Sequence, residues 1–292
     1  MKIVIAGSLG HIGRPLTKDL VKQGHELTVI SSNPDKKIEI ENLGAQAAIG
    51  TLDDASFLTP VYQNADAAFC MTPPNFGATD QIAYYRNIAE SYAKAIADAK
   101  LKRVVYLSSY GAHLESGTGM ITGSYHTENI FKTLEDVALT FVRPTYFYYN
   151  LLAFIPMIKS LGFIGSVYGG QDMLPMVAPE DIAAVVASEL TKQTEIKMVQ
   201  YVNSDDRSCD EVASILGRAI GIPDLKWHIL PAEQVKGGLL NSGVPENAAA
   251  NLIEMGQATH DGRLREDFDQ HPHASGKVRI EDYAKDFALA YK

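Results

Sequence analysis

The sequence predicts an α/β chain built on a doubly wound parallel sheet, with a small C-terminal α/β cap. Three observations predict it. The chain opens on a short apolar run, Lys2-Ile3-Val4-Ile5-Ala6, the pattern of a strand buried on both faces. A glycine-rich turn follows directly, Gly7-Ser8-Leu9-Gly10-His11-Ile12-Gly13, and leads into a helical pattern from Arg14 to Lys22. Strand and helix patterns then alternate as far as Val142, which is how parallel βαβ units are encoded.

Taken in order, the first three glycines have distinct uses. Gly7 permits a tight turn, Gly10 lets an anion approach the backbone, and Gly13 lets helix and strand pack closely. The helix behind them offers free N–H groups and a partial positive charge, so the stretch reads as a phosphate cradle. Its spacing is GxxGxxG rather than the GxGxxG of the common dinucleotide fingerprint. Gly24 stops the helix, and Glu26 to Ile30 is the second strand. A dinucleotide fold reads the adenosine ribose at the end of this strand, usually with an acid roughly 20 residues past the loop. Here Ser32 and Asn33 stand there, followed by Lys36 and Lys37. Hydroxyls, an amide and lysines attract a 2′-phosphate that an acid would repel, which favours NADP, with NAD still open.

The third strand ends in Gly50-Thr51-Leu52-Asp53-Asp54, where either acid can cap the next helix. The fourth, Ala65 to Met71, runs into Thr72-Pro73-Pro74-Asn75, a proline-stiffened loop at the edge where parallel sheets bind ligands. Thr79 to Lys100 is a long helix whose Ile82, Tyr85, Ile88, Ala89, Tyr92, Ala93 and Ile96 form one apolar face, so its tyrosines are read as core. The fifth strand, Arg103 to Leu107, delivers Ser108 and Ser109 to the same edge, either facing a ligand or lining the turn. A helix from Ser124 to Glu135 and a sixth strand, Leu139 to Val142, complete this half.

Residues 1–150 are therefore expected to form a nucleotide-binding domain, and residues 151–292 a smaller cap region integrated with the same sheet. Tyr146 to Leu161 is expected to be an apolar helix over a pocket or interface. Asp172 to Val177 and Met198 to Val202 read as strands, and Pro179 to Leu190 as a helix with proline in its first turn and acids near its positive end. Asp210–Ile220, Pro231–Leu239, Pro245–Met255 and Ile280–Tyr291 read as helices. The Gly162–Gly165 stretch has no strand before it and no capped helix after it, so it is not read as a phosphate site.

Composition narrows the function classes. The 292 residues are 46% hydrophobic and 21% charged, ordinary for a globular chain. A net charge of −9 argues against a general nucleic-acid or anionic-membrane binder. No run is long enough to span a membrane and no signal-peptide pattern opens the chain, so the cytoplasm is the expected setting. Cys70 and Cys209 are read as separate buried thiols, and no metal site is expected, the His271-Pro272-His273 pair being read as solvated. No GxSxG elbow supports serine hydrolysis.

With these residues in order, the chain resembles the NmrA-like branch of the atypical short-chain dehydrogenases/reductases. The resemblance rests on Gly7, Gly10 and Gly13; on Met71-Thr72-Pro73-Pro74; on Val105 to Ser109; and on His126-Thr127-Glu128. Arg143-Pro144-Thr145-Tyr146-Phe147 with Asn150, and Val177 to Ala183, extend it along the chain. That branch includes nicotinamide-dependent quinone, azo-dye and triphenylmethane reductases and redox-sensing regulators. The resemblance implies a Rossmann-like fold that binds NAD(P). It places Gly7, Leu9, Gly10, His11 and Ile12 along the pyrophosphate and Ser32 or Asn33 at the adenosine ribose. Thr72, Pro73 and Ser108 would lie near the nicotinamide. Thr51, with Leu52, stands where relatives often carry an acid beside the adenine.

Typical short-chain dehydrogenases pair a tyrosine with a lysine four residues later, which lowers the tyrosine pKa for proton exchange. Here Tyr125 is followed at that spacing by Asn129, and Lys132 lies about two turns away. Tyr125, His126 and Glu128 are the candidates for proton supply or pocket polarity, their alternative being ordinary helix-surface residues. Tyr146, Phe147 and Tyr148 are candidates for the wall of an apolar substrate pocket, core aromatics being the alternative. The expected function is an NAD(P)H-dependent oxidoreductase reducing quinone-like or aromatic small molecules. A catalytically silent NAD(P)-sensing regulator acting through protein partners is the alternative, and oligomerisation is left open.

Overall fold

The computed structural model describes residues 1–192 and 198–292. The first half alternates as expected: β1 (Lys2–Ile5), α1 (Gly13–Lys22), β2 (Glu26–Ser31), α2 (Lys37–Asn42), β3 (Gln46–Ile49) and α3 (Ala55–Tyr62). There follow β4 (Ala67–Met71), α4 (Gln81–Ala99), β5 (Arg103–Leu107), α5 (Ile121–Lys132) and β6 (Ala138–Pro144). Local chemistry sets the ends. Asp54 caps α3 by accepting from the Ser56 and Phe57 N–H groups, and Asp80 caps α4 by accepting from Ala83 N–H.

The second half continues with β7 (Tyr146–Phe147), a 3-10 segment (Tyr148–Phe154), α6 (Ile155–Leu161), β8 (Ile164–Ser166) and β9 (Met173–Val177). Next come α7 (Pro179–Thr191), β10 (Met198–Asn203), β11 (Asp205–Ser208), α8 (Cys209–Ile220) and β12 (Trp227–Ile229). The chain ends in α9 (Ala232–Asn241), α10 (Glu246–His260), α11 (Glu266–Gln270), β13 (His273–Ser275) and α12 (Ile280–Tyr291).

The single helix expected from Tyr146 to Leu161 is not what forms. Tyr146 and Phe147 pair in parallel with Met176 and Val177 of β9, and α-helix begins only at Ile155, with proline in its first turn. Backbone pairing with a strand thirty residues away overrides the apolar periodicity there. Gly162 is the left-handed cap of α6 (φ 79°), and the strand β8 follows it.

The main sheet has eight strands in the order β13-β10-β6-β5-β4-β1-β2-β3, and every neighbouring pair is parallel. Its helices divide between two faces. Leu16, Leu20, Ile182 and Val186, from α1 and α7, pack on Ile3, Ile5, Phe69 and Val105. Tyr62, Ile88, Tyr92, Ile96 and Phe131, from α3, α4 and α5, pack on Val4, Ala6, Cys70 and Tyr106. Alternate residues of one strand thus serve opposite cores, the arrangement that a continuous apolar run predicts. The strand order reverses between β1 and β4, so the loops leaving these two strands diverge to opposite faces. The crevice between them is where doubly wound sheets bind ligands.

Smaller sheets, β11-β9-β7 and β12-β8, build a second core around Tyr148, Leu174, Met176, Leu216, Trp227 and Phe287. Buried Asp181, at the start of α7, ties the C-terminal segment back. It accepts from Ser204 Oγ at 2.7 Å and from the Lys277 and Val278 N–H groups at 2.9 and 3.1 Å. Gly276 is required beside it, since a Cβ there would lie 2.2 Å from Asp181 Oδ2. Asp181→Ala orphans these donors, and chemical denaturation is expected to show a loss of about 3 kcal/mol, with Asp181→Asn intermediate.

Candidate active site

Because all strands of the main sheet run parallel, the loops after β1, β2, β3, β4, β5 and β6 emerge at one edge. The sequence-predicted residues therefore converge, Gly7 to Gly13, Ser32 to Lys36, Thr51-Leu52, Thr72-Pro73, Ser108 and Tyr146 to Tyr148 all lying along it.

The glycine loop is shaped by contacts that exclude side chains. Gly7 is left-handed (φ +90°), and a Cβ on it would lie 2.8 Å from Met71 Sδ. A Cβ on Gly13 would lie 2.1 Å from the Ser8 carbonyl oxygen, which enforces the tight strand-to-helix turn. Gly10 is different: its Cβ would meet only Gly7 O at an ordinary 3.5 Å. Among the described residues nothing demands glycine there. Helix α1 has no side-chain cap at Ile12 and no acid in its first turn, so its positive end is not neutralised locally.

At the end of β2, Ser31 Oγ bonds Ser8 Oγ at 3.0 Å and accepts from Asn33 N–H at 3.2 Å, stitching strand end to loop. Asn33 Oδ1 accepts from Asp35 N–H, and Ser32 is exposed. Lys36 donates to Glu39 Oε2 at 2.9 Å, and Arg14, the residue after the last glycine, donates to Glu39 Oε1. The hydrogen bonds from Arg14 and then Lys36 pull the Glu39 carboxyl down to about 2. Two cations are thus gathered on one carboxylate between α1 and the end of β2. The sequence reading found Lys36 but not Arg14 or Glu39, because only folding brings those helices together. Thr51 is exposed, and Leu52 packs its side chain partly on the α3–α4 side of the sheet.

The loops after β4 and β5 are held from below. Tyr92 of α4 donates to Met71 O at 3.0 Å, and Tyr106 OH lies 3.3 Å from Thr72 Oγ1. Burial pushes the Tyr106 hydroxyl up to about 12, so it stays a neutral partner. Ser108 is buried and donates to Glu128 Oε1 at 2.6 Å. Glu128, itself 1% exposed, is clasped by Arg143, whose Nε reaches Oε1 at 2.9 Å and whose second nitrogen reaches Oε2 at 2.7 Å. The third guanidinium nitrogen donates to Tyr201 OH and Asp267 Oδ2, each at 2.9 Å. Burial works against the Arg143 charge, but the Glu128 carboxylate and Tyr201 outweigh it and raise its pKa.

Glu128 is therefore not a helix-surface residue; it is the buried hub of this cluster. Tyr125 and His126 are half-buried neighbours on α5, packed edge to face at 5.4 Å. The Tyr125 hydroxyl faces Glu115 Oε2 at 3.5 Å, while Lys132 lies 3.5 Å from Glu128 Oε2, so tyrosine and lysine are engaged elsewhere rather than with each other. His113, on the loop after β5, has both ring nitrogens buried without a partner among the described residues, and burial lowers its pKa.

The aromatic run after β6 divides by direction. Tyr146 packs on the second core, and its hydroxyl lies 3.5 Å from Tyr168 OH. Tyr148 is fully buried, stacks on Tyr283 at 5.1 Å and donates to Val278 O at 3.1 Å, so it backs the wall rather than lining it. Phe147 packs toward the main-sheet core. Tyr149, which sequence reasoning did not select, stacks on His11 of the glycine loop at 4.4 Å. No strand periodicity points to it, since strand ends at Phe147 and Tyr149 lies in the 3-10 segment.

The NmrA-like family profile matches residues 1–283. An NAD(P)H azoreductase of Xenophilus azovorans is 26% identical over 293 residues, covering 99% of both chains. Among solved structures, triphenylmethane reductase of Citrobacter sp. complexed with NADP(H) superimposes with a TM-score of 0.81 at 20% identity, covering 98% of this chain and 100% of that one. An NADPH-dependent quinone oxidoreductase of Escherichia coli complexed with NADPH gives 0.78 at 19% identity, covering 97% and 99%.

The buried pair makes a sharp stability prediction. Glu128→Ala strands the Arg143 charge and is expected to cost about 3–5 kcal/mol in urea unfolding. Glu128→Gln, which keeps an acceptor for Arg143, is expected to cost clearly less.

Proposed function

The chain belongs to the NmrA-like family, and from that premise we propose that it is an NAD(P)H-dependent reductase of quinone-like or aromatic acceptors. One observation carries the reading: an uncapped helix N-terminus behind a tight turn that admits no side chain at Gly7 or Gly13 opens a chain that matches an azoreductase along its whole length. The residues fit a dinucleotide. The Gly7–Gly13 backbone, with Leu9, His11 and Ile12, would hold the pyrophosphate. Ser32, Asn33 and Lys36, joined by Arg14, would hold the ribose end, with Thr51 and Leu52 beside the adenine. Thr72, Pro73 and Ser108 would flank the nicotinamide. Residues 1–150 would carry the cofactor and residues 151–292 the acceptor side.

When bound, the nicotinamide supplies the hydride. The protein's part is positioning and a proton. Ser108 is fixed with its proton on Glu128 and its lone pairs left to accept, and Arg143 holds Glu128 in place. Glu128 thus supplies pocket polarity, while Tyr125 and His126 are the groups proposed to deliver the proton that follows the hydride. Tyr146 and Phe147, with Tyr148 behind them, would wall the acceptor from water.

A second reading has one observation of its own. Tyr125 faces an acid and Lys132 is held by Glu128, so the usual tyrosine–lysine pair is not assembled. This favours a silent NAD(P)-sensing regulator. Purified protein is expected to oxidise NADPH through many turnovers with a panel of quinones and azo dyes; silence across the panel overturns the reductase and leaves the regulator.

The Arg14–Glu39–Lys36 cluster predicts cofactor choice. Arg14→Ala or Lys36→Ala is expected to weaken NADPH about tenfold while leaving NADH nearly unchanged, as removal of a charge-assisted bond does. Glu39→Gln, which releases both cations, is expected to shift preference further toward NADPH. Calorimetric titration with the two cofactors side by side reads the ratio.

A further inference from the structure

Helices α9 and α10 are joined by a short turn, and they differ in how firmly they are held. α10 is fixed. Ala248, Ala249, Gly256 and Ala258 are buried, and a Cβ on Gly256 would lie 2.4 Å from Val167 Cγ2. The helix also docks on loops that leave the main sheet. Asn251 Nδ2 donates at 2.9 Å to Gln81 Oε1, on the first residue of α4, where the loop after β4 ends. Glu254 Oε2 accepts at 3.0 Å from Gly119 N–H, in the loop after β5. The fit there is close, since a Cβ on Gly119 would lie 2.0 Å from the Asn251 carbonyl oxygen.

α9 is held by little. None of its residues is buried, and among the described residues none joins a hydrophobic core cluster. Its one side-chain hydrogen bond to another element, again among the described residues, is Lys236 to Glu246, exposed at 3.3 Å. Gly237 and Gly238 stand in the middle of the helix, and a Cβ on either would meet nothing within 4 Å. Packing therefore does not ask for glycine, while each glycine in place of alanine weakens an exposed helix about fivefold. Past its end, Gly243 is left-handed (φ +83°) and equally free of neighbours, a joint that leaves α9 free to swing.

Between the two helices lies a cleft of about 390 Å³, the size of a small-molecule site. Ala232, Glu233 and Lys236 of α9 form one wall, and Ile253 with the same Asn251 and Glu254 forms the other. One wall is thus fastened to the loops after β4 and β5, and the other is free to move. We propose that α9 is a lid that stands over the acceptor's entry cleft and closes onto α10 when an acceptor occupies it. The inference rests on the reductase reading and adds a conformational step to it. A helix with so few buried contacts belongs to the low-stability end of the fold and opens without unfolding the rest.

The test uses full-length, NADP-loaded protein with a naphthoquinone as probe. Amide hydrogen exchange in α9 is expected to be fast without the probe and about fivefold slower with it, while α10 changes little. Gly237→Ala combined with Gly238→Ala removes no contact and is expected to raise α9 protection about tenfold in the protein without probe. In NADPH turnover the same variant is expected to lower KM and kcat together, each about three- to tenfold, because a firmer lid releases product slowly. Gln234→Gly, on the exposed side of α9, loosens the helix and is expected to raise KM instead. A helix that is merely exposed would change its protection in these variants with KM and kcat unmoved, and that result overturns the lid. So does exchange in α9 that the probe leaves unchanged in a parent protein that turns over. A parent that reduces no acceptor overturns the reductase reading itself, and the lid with it.

Discussion

One guanidinium ties the parts of this molecule that must stay in register. Arg143 ends the sixth strand of the main sheet and spends its nitrogens on Glu128 of α5, Tyr201 of β10 and Asp267 of α11. Glu128 in turn fixes the Ser108 hydroxyl at the sheet edge where the loops after the strands emerge. A charge this deeply buried is tolerated only because every face of it is paired, and a planar fork with several donors can do that where a lysine cannot. The cluster therefore has a directional role more than an energetic one. It holds the edge residue Ser108, the helix that carries Tyr125 and His126, and the C-terminal segment in one fixed arrangement.

Around that hub the sheet does the positioning. Parallel strands put every βα loop on the same edge, and the reversal of strand order between β1 and β4 opens a crevice there. On one side of the crevice stands the glycine loop, closed to a side chain at Gly7 and Gly13 and backed by a helix end with no side-chain cap. The proline-stiffened Thr72 loop faces it, steadied by Tyr92 and Tyr106 from beneath. The second core meets this edge through the aromatic run after β6, and Asp181 of α7 holds the segment that leads into α12. Chemistry that needs a cofactor held flat and an acceptor laid beside it requires little more of the protein than this placement.

The legibility of these features tracks how local their causes are. The strand, glycine loop and helix at the N-terminus were readable because the pattern is contiguous and one of its glycines, Gly13, answers to Ser8 five residues away, although Gly7 answers to the distant Met71. The long α4 helix and the burial of Tyr92 followed from spacing alone, while Tyr85 is only half-buried. The segment from Tyr146 to Leu161 was misread because its apolar period resembles a helix, whereas the backbone of Tyr146 and Phe147 pairs with β9. The three-residue strands β8, β12 and β13 were missed for the related reason that so short a strand exists only through its partner. In the site, Lys36 was readable and Arg14 with Glu39 was not, since the first lies at a strand end that has a known use and the others meet only across two helices.

What the sequence by itself determined is the class of fold, the family and the strand–glycine turn–helix at the N-terminus, because these rest on patterns that are contiguous or repeat along the chain. Only the tertiary structure decided that Glu128 is a buried hub instead of a surface acid. The same is true of the gathering of Arg14 and Lys36 on one carboxylate, and of the turning of Tyr149, rather than Tyr148, toward the glycine loop. Each of those depends on residues far apart in the chain being brought within a hydrogen bond or a ring's thickness. Periodicity carries the direction of a side chain only when the backbone state is already known.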